Sequence, residues 1–118
     1  MSREEKYINI LEHFLLEEYG ISTHYDESYS DSYYPKIKLI EIDSKQSKES
    51  QLCGMLHEAS HVILNHVIDN TTEHCDIIRM ESEAWEYGVH IAESLGFEIN
   101  VENYHTYKKE SLKNYKEN

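Results

Sequence analysis

Cysteine, proline, basic residues and long apolar runs are all scarce in this chain. It has two cysteines, one proline and 11 basic residues against 23 acidic ones, so its formal net charge is −12 over 118 residues. No apolar run reaches the roughly 18 residues that would indicate a membrane-spanning helix. Two cysteines are too few for a disulfide framework, and a reduced, cytoplasmic chain is the simplest interpretation.

The excess of acidic residues bears on the kind of partner that the protein binds. A surface this negative repels phosphate backbones, so direct nucleic-acid binding is disfavoured and a basic or neutral protein partner is favoured. Ten tyrosines supply large amphipathic side chains suited to contacts with polypeptides. The charged start of the chain does not read as a signal peptide, and no repeat or linker is visible. We predict one domain over residues 1–118.

The motif His57-Glu58-Ala59-Ser60-His61 is an HExxH sequence inside the apolar segment Leu52–Val67. Four residues along a helix rise about 6 Å and complete slightly more than one turn, so the two imidazoles project from one face. They can bind one metal ion, and Glu58 can take a proton from a water in the remaining position. Two incidental histidines in a buried helix are the alternative. A metal better accounts for three polar side chains there, because it gives them partners.

The third ligand of such a site is expected on a second helix, predicted over Asp76–Leu95. Its candidates are Glu81, Glu83 and Glu86. We predict Glu83, because the small side chain of Ala84 next to it lets this helix lie close to the motif helix. Glu81 is the second choice for the third ligand.

A different zinc-peptidase pattern, HExxHxxGxxH, is excluded by spacing. Its third histidine would stand at position 67, which is Val67, whereas His66 lies only five residues past His61.

The remaining segments predict an α+β fold, mainly helical, with a small sheet packed beside the motif helix. Hydrophobic spacing indicates a first helix that Ser2 caps and Gly20 ends, and Ser47 is the expected start of the motif helix. The alternating Lys36–Asp43 is the best strand. It either offers a backbone edge to a substrate or merely covers the motif helix. The polar segment Ile21–Pro35 is predicted to be a loop with at most one short strand, and Asn103–Tyr115 a final helix.

HEASH followed, after some twenty residues, by Glu81-Ser82-Glu83-Ala84-Trp85-Glu86-Tyr87-Gly88 resembles the ImmA/IrrE metallopeptidases. Their pattern is HExxH and then E-x-E-A-N-x-F-A, and the likeness runs from Lys36 to Gly96. The resemblance implies a zincin-like fold and a gluzincin-like zinc site in which the glutamate before the alanine, here Glu83, is the third ligand. Trp85 stands where the family has Asn or Asp, and Tyr87-Gly88 replaces Phe-Ala.

The resemblance also implies a function. It suggests the minimal catalytic domain of a cytoplasmic, zinc-dependent, site-specific endopeptidase, with Glu58 as the catalytic base and His57, His61 and Glu83 as Zn²⁺ ligands. Such enzymes are encoded beside a repressor on a phage, another mobile element or a stress operon, and they cleave that helix-turn-helix partner. An oxyanion-stabilising Tyr or His is expected from Ile21–Pro35 or from the tail, for example His105.

Two alternatives belong to other functional classes. One is a non-catalytic zinc-binding or protein-binding module that binds a regulator without cleaving it. The other is an acidic structural or inhibitory protein, for example a nucleic-acid mimic, that carries HExxH by accident.

Overall fold

The computed structural model describes residues 1–27 and 30–116, with only the backbone of Lys116. In these ranges the chain forms four α-helices and three β-strands, so the prediction of a mainly helical α+β fold is confirmed. The helices are α1 (Arg3–Tyr19), α2 (Lys48–Ile63), α3 (His74–Ser94) and α4 (Val101–Lys116). The strands are β1 (Ser22–Asp26), β2 (Ser32–Tyr34) and β3 (Leu39–Asp43), and a short 3-10 helix, Pro35–Ile37, precedes β3.

The predicted caps form where the sequence places them. The Ser2 hydroxyl accepts a hydrogen bond from the Glu5 N–H at 3.1 Å, and the Ser47 hydroxyl accepts one from the Ser50 N–H at 3.2 Å. Each of these bonds satisfies a backbone donor that a helix start would otherwise leave unpaired. Gly20 ends α1 with φ of 67°, a left-handed conformation that favours glycine.

The sheet has the order β1-β3-β2, with β1 parallel and β2 antiparallel to β3. The predicted strand is therefore the central one and is shorter than expected, because Pro35 starts the 3-10 helix. A central strand is paired on both sides, so β3 has no free edge for a substrate. The segment predicted as a loop with at most one strand supplies both β1 and β2. Its residues Ser28 and Tyr29 lie outside the described part of the chain.

The hydrophobic core lies between the sheet and the helices, with α2 at its centre. Alternation along β3 turns Ile40 and Ile42, both 0% exposed, toward this core. The other fully buried large apolar side chains come from three of the helices: Leu11, Leu15, Leu52, Met55, Leu56 and Tyr104. In the described part of the chain, no helix is both long and apolar enough to cross a membrane.

Candidate metal centre and active site

Helix α2 carries the two histidines of the motif into the interior. Every residue from Gln51 to His61 is buried, so this stretch has no solvent-exposed face. The Nε2 atoms of His57 and His61 lie 3.3 Å apart. The helical spacing thus brings the two imidazole nitrogens to one point.

The carboxylate that meets these histidines belongs to Glu81 of α3. Its Oε2 lies 2.7 Å from His57 Nε2 and 3.3 Å from His61 Nε2. Ligand atoms arranged tetrahedrally around a zinc ion at about 2.1 Å stand about 3.4 Å from one another. The three atoms therefore fit a single metal ion, and His57, His61 and Glu81 form the buried group able to hold one.

The prediction of Glu83 as the third ligand is corrected by this geometry. Glu83 is two positions past Glu81, which turns its side chain about 200° around the helix axis. Its Oε2 lies 3.0 Å from His66 Nε2, and its Oε1 accepts a hydrogen bond from Arg79 at 3.0 Å. The hydrogen bond from Arg79 lowers the pKa of Glu83, so this glutamate is ionised, but it faces away from the shared point.

Burial and hydrogen bonding set the charge of the candidate ligands. Burial lowers the pKa of His57, which favours the neutral imidazole. Burial alone would raise the pKa of Glu81, but hydrogen bonds from His57 and His61 outweigh it and lower that pKa to about 2. A neutral imidazole and an ionised carboxylate are the forms that bind a metal.

Glu58, the residue after the first histidine, is buried and lines the same cleft as the three ligand candidates. Burial raises its pKa well above the usual range, and the nearby charge of Glu81 adds to this. A carboxylate with raised proton affinity suits a group that must accept a proton and pass it on.

The two histidines are held in different ways. The His57 ring stacks on the indole of Trp85 at 4.4 Å between centroids, with 24° between the planes. Its Nδ1 is buried without a hydrogen-bond partner among the described residues. Trp85, which replaces the family's Asn or Asp, thus orients His57 by ring contact. His61 instead places its Nδ1 3.0 Å from His66 Nδ1, a contact that the sequence did not predict.

The site opens into a cleft of about 490 Å³ between α2, the β2 segment and the end of α4. Tyr107 and Tyr115 of α4 and Tyr33 of β2 line this cleft. Burial, with the nearby charges of Glu81 and Glu58, raises the pKa of Tyr115 to about 12. His105, proposed as an oxyanion partner, is exposed and is not part of the lining. Tyr33 of the segment Ile21–Pro35 and Tyr115 of the tail, the two regions predicted to supply an oxyanion partner, do line the cleft.

Two other polar residues of α3 stand away from the metal centre. Glu86 is exposed and lies 3.7 Å from Lys108, and His90 is exposed beside the Tyr87 ring. Neither contacts the ligand candidates in the described structure.

Two imidazoles, a carboxylate and an adjacent buried glutamate around an open cleft define the class: a candidate metallopeptidase site. The comparison with known families agrees, because residues 3–92 match the peptidase M78 family, described as the IrrE N-terminal-like domain. The chain belongs to this family, and the resemblance to ImmA/IrrE is confirmed. The match begins in α1, well before Lys36, and leaves α4 outside. No curated protein and no solved structure is significantly similar to the chain.

Proposed function

We propose that this protein is a zinc-dependent endopeptidase that cleaves a partner transcriptional repressor at a specific site. The observation that carries the proposal is the convergence of His57 Nε2, His61 Nε2 and Glu81 Oε2 within 3.3 Å of one another. A His₂Glu set suits zinc, and membership of a metallopeptidase family supports peptide-bond hydrolysis.

The chain's own residues have separable roles in this reaction. His57, His61 and Glu81 would hold the zinc, and the ion when bound supplies a Lewis acid and a water of lowered pKa. Glu58 takes the proton of the attacking water and delivers it to the leaving amine. The Tyr115 hydroxyl, on the cleft wall beside Glu81, donates a hydrogen bond to the developing oxyanion.

The cleft favours an extended, basic segment of the substrate. Its acidic lining residues are Asp31, Asp43, Glu58 and Glu81, with no Lys or Arg among the described lining residues. Ser32 and Tyr33 of β2 also line it, and in the described structure β2 pairs only with β3. The other edge of β2 can therefore accept a substrate strand by backbone hydrogen bonding, the role first expected of β3. Basic side chains of that strand meet the acidic wall.

The direct test is cleavage of a candidate substrate by matched variants. The purified protein with zinc is incubated with any helix-turn-helix repressor that a neighbouring gene encodes and, separately, with a diverse peptide library read by mass spectrometry. Wild type is expected to cut at a defined site. Glu58→Gln should lose about 10²–10⁴-fold in rate while keeping zinc, because only the general base is removed.

Glu86→Gln is the matched control, since Glu86 is an exposed glutamate of α3 outside the cleft lining. Cleavage by wild type and Glu58→Gln at equal rates would refute the peptidase. Binding of the repressor without cleavage by either protein would favour the non-catalytic module.

A further inference from the structure

The end of α2 folds His66 back over the metal centre. Asn65, with φ of 55°, adopts the left-handed conformation that reverses the chain after a helix. The Asn65 N–H donates to the Val62 carbonyl at 3.1 Å and the His66 N–H to the His61 carbonyl at 2.9 Å. This turn brings the His66 ring to 5.2 Å from the His61 ring, centroid to centroid.

A continuous chain of hydrogen bonds leads outward from the metal centre. His61 Nδ1 lies 3.0 Å from His66 Nδ1, and His66 Nε2 lies 3.0 Å from Glu83 Oε2. The other oxygen of Glu83 accepts from Arg79. The His66 side chain is only 9% exposed, so water does not readily replace these contacts.

The chemistry of the outermost group dictates where each proton sits. An ionised carboxylate only accepts hydrogen bonds, so the proton between His66 and Glu83 belongs to His66 Nε2. A neutral His66 then has a lone pair on Nδ1, and the proton between the two Nδ1 atoms belongs to His61. When His61 binds a metal through Nε2, that nitrogen carries no proton, and it faces the point shared with Glu81 Oε2 and His57 Nε2.

We propose that Glu83 and His66 are positioning residues that fix the tautomer and orientation of His61, so that its Nε2 is held ready to bind the metal. The inference rests on the metal site of the proposed function and deepens it. Outer hydrogen-bond partners of a metal-bound histidine fix its ring and raise its basicity, and their loss typically weakens metal affinity 10–100-fold. In many metal sites a carboxylate accepts the hydrogen bond of the ligand histidine directly. Here the imidazole of His66 stands between His61 and the Glu83 carboxylate.

Zinc affinity, measured by competition with a chromophoric chelator, tests the role of His66. His66→Phe keeps a planar ring but removes the acceptor, so the dissociation constant should rise about 10–100-fold. His66→Asn should lose only several-fold, as Glu83→Ala does, because its side-chain oxygen can stand where Nδ1 stood although the contact with Glu83 is gone. An intact affinity in His66→Phe, or an equal loss in both variants, would overturn the proposal.

The same measurement with Glu83→Ala and Glu86→Ala tests the outer end of the chain. Both glutamates lie on α3, but only Glu83 contacts His66. We expect a several-fold loss of zinc affinity for Glu83→Ala and none for Glu86→Ala. Equal affinities in these two variants would contradict a role for Glu83. Both substitutions change side chains that are at least partly exposed. They therefore keep the proposal testable even where His66→Phe fails to fold.

The tautomer itself is visible in the metal-free protein. A long-range ¹H–¹⁵N correlation spectrum should show a larger share of His61 protonated at Nδ1 in wild type than in His66→Phe. Equal shares in the two proteins would refute the proposal. Neither readout involves peptide cleavage, so a protein that binds zinc with this help from His66 but cleaves nothing would refute the proposed function alone. Active protein whose His61 tautomer is unchanged by His66→Phe would refute only the role of His66 and Glu83.

Discussion

At the scale of single residues, Asp31 links two segments of the cleft by hydrogen bonds, but its burial lowers the stability of the folded protein when the side chain is ionised. Its Oδ1 accepts the Asp43 N–H at 2.8 Å and the Gln46 side-chain amide at 2.9 Å, which joins the β2 segment to the end of β3. Its Oδ2 overlaps the position where a Cβ on Gly54 would stand, so a larger residue there would displace the Asp31 side chain. Burial raises the pKa of Asp31 although both hydrogen bonds oppose this.

We predict that Asp31→Asn raises the free energy of unfolding near neutral pH. Because the folded pKa lies above the unfolded value, ionised Asp31 costs stability at high pH, and asparagine removes the charge but keeps the oxygen acceptor. The gain should shrink as the pH falls through the raised folded pKa and vanish below the ordinary value of 3.8. Denaturant unfolding across this range measures it.

Asp69→Asn provides a control of opposite sign. Hydrogen bonds from Thr71 lower the pKa of Asp69, so its charge stabilises the folded state. This variant should lose stability at neutral pH, and the loss should disappear in acid. A stability loss for Asp31→Asn at neutral pH would contradict the account of Asp31.

Also at the residue scale, the sequence predicted His57, Glu58 and His61, which the structure brings together, but it favoured Glu83 over Glu81, the glutamate of α3 that lies beside the two histidines. The choice rested on the small size of Ala84, which says how close the helices lie but not which way α3 is rotated. The rotation was readable, because Glu81, Ala84, Trp85 and Gly88 follow the i, i+3, i+4, i+7 pattern of one buried face. Glu83 is outside that pattern.

His66 could not be placed from helical periodicity, because α2 ends before it. Only the left-handed turn at Asn65 brings it back, and asparagine is one of the few residues that adopt this conformation readily. Asn65 was therefore the available signal for the turn, but nothing in the sequence says which side chain the turn would meet.

At the scale of elements, α4 closes on α3 at a glycine. A Cβ on Gly88 would overlap the hydroxyl of Tyr104, which donates to the Trp85 carbonyl at 2.5 Å and is fully buried. This close approach explains why glycine stands where the family has alanine. Trp85 in turn stacks on His57. The packing of α4 is therefore connected to the metal centre by two contacts: the hydrogen bond from Tyr104 to the Trp85 carbonyl, and the stacking of the Trp85 ring on His57.

We predict that Gly88→Ala lowers the free energy of unfolding by about 1–3 kcal/mol, because the added methyl overpacks the α3–α4 contact. Tyr104→Phe alone should cost about 1 kcal/mol for the lost hydrogen bond. The double variant should be more stable than the sum of the two losses, since removing the hydroxyl makes room for the methyl. Strict additivity in urea unfolding would contradict the close contact.

A second prediction for α4 concerns Tyr115. Tyr115→Phe should lower kcat about 100-fold while leaving the zinc dissociation constant within a few-fold, as expected for loss of one oxyanion donor. Tyr107→Phe is the matched control, because its hydroxyl bonds Glu49 at 3.2 Å instead of a ligand candidate. Steady-state kinetics and chelator competition separate the effects. Lost zinc affinity at unchanged kcat would show that Tyr115 only supports Glu81.

The sheet shows where element prediction from the sequence fails. Side-chain caps mark the starts of α1 and α2, apolar spacing marks all four helices, and all were predicted close to their observed bounds. The strands β1 and β2 are polar, with Ser, Tyr and Asp, and they exist because β3 pairs with both of them. Such pairing is set by distant residues, so composition alone indicated a loop.

At the scale of the whole molecule, we propose that negative charge favours a basic substrate. The net charge of −12 adds to the acidic wall of the cleft, so a basic segment is attracted both at a distance and in place. A basic repressor would be attracted by this negative charge before it makes any specific contact with the cleft.

We predict that kcat/KM for a basic peptide substrate falls several-fold between about 0.1 M and about 1 M salt, as the screening length shortens from about 10 Å to about 3 Å. A neutral analogue with the same scissile bond should change little. Initial rates over a salt series measure both, and equal salt dependence of the two peptides would contradict the electrostatic selection of substrate.

The measurement that tests the central claim most directly is the zinc content of the purified protein, wild type beside Glu81→Ala and Glu83→Ala, after zinc-replete expression. The account predicts about one equivalent in wild type, less than about a tenth in Glu81→Ala, and a site in Glu83→Ala that fills at saturating zinc. Wild type with less than about a tenth of an equivalent would contradict it, as would a site lost with Glu83 and kept without Glu81.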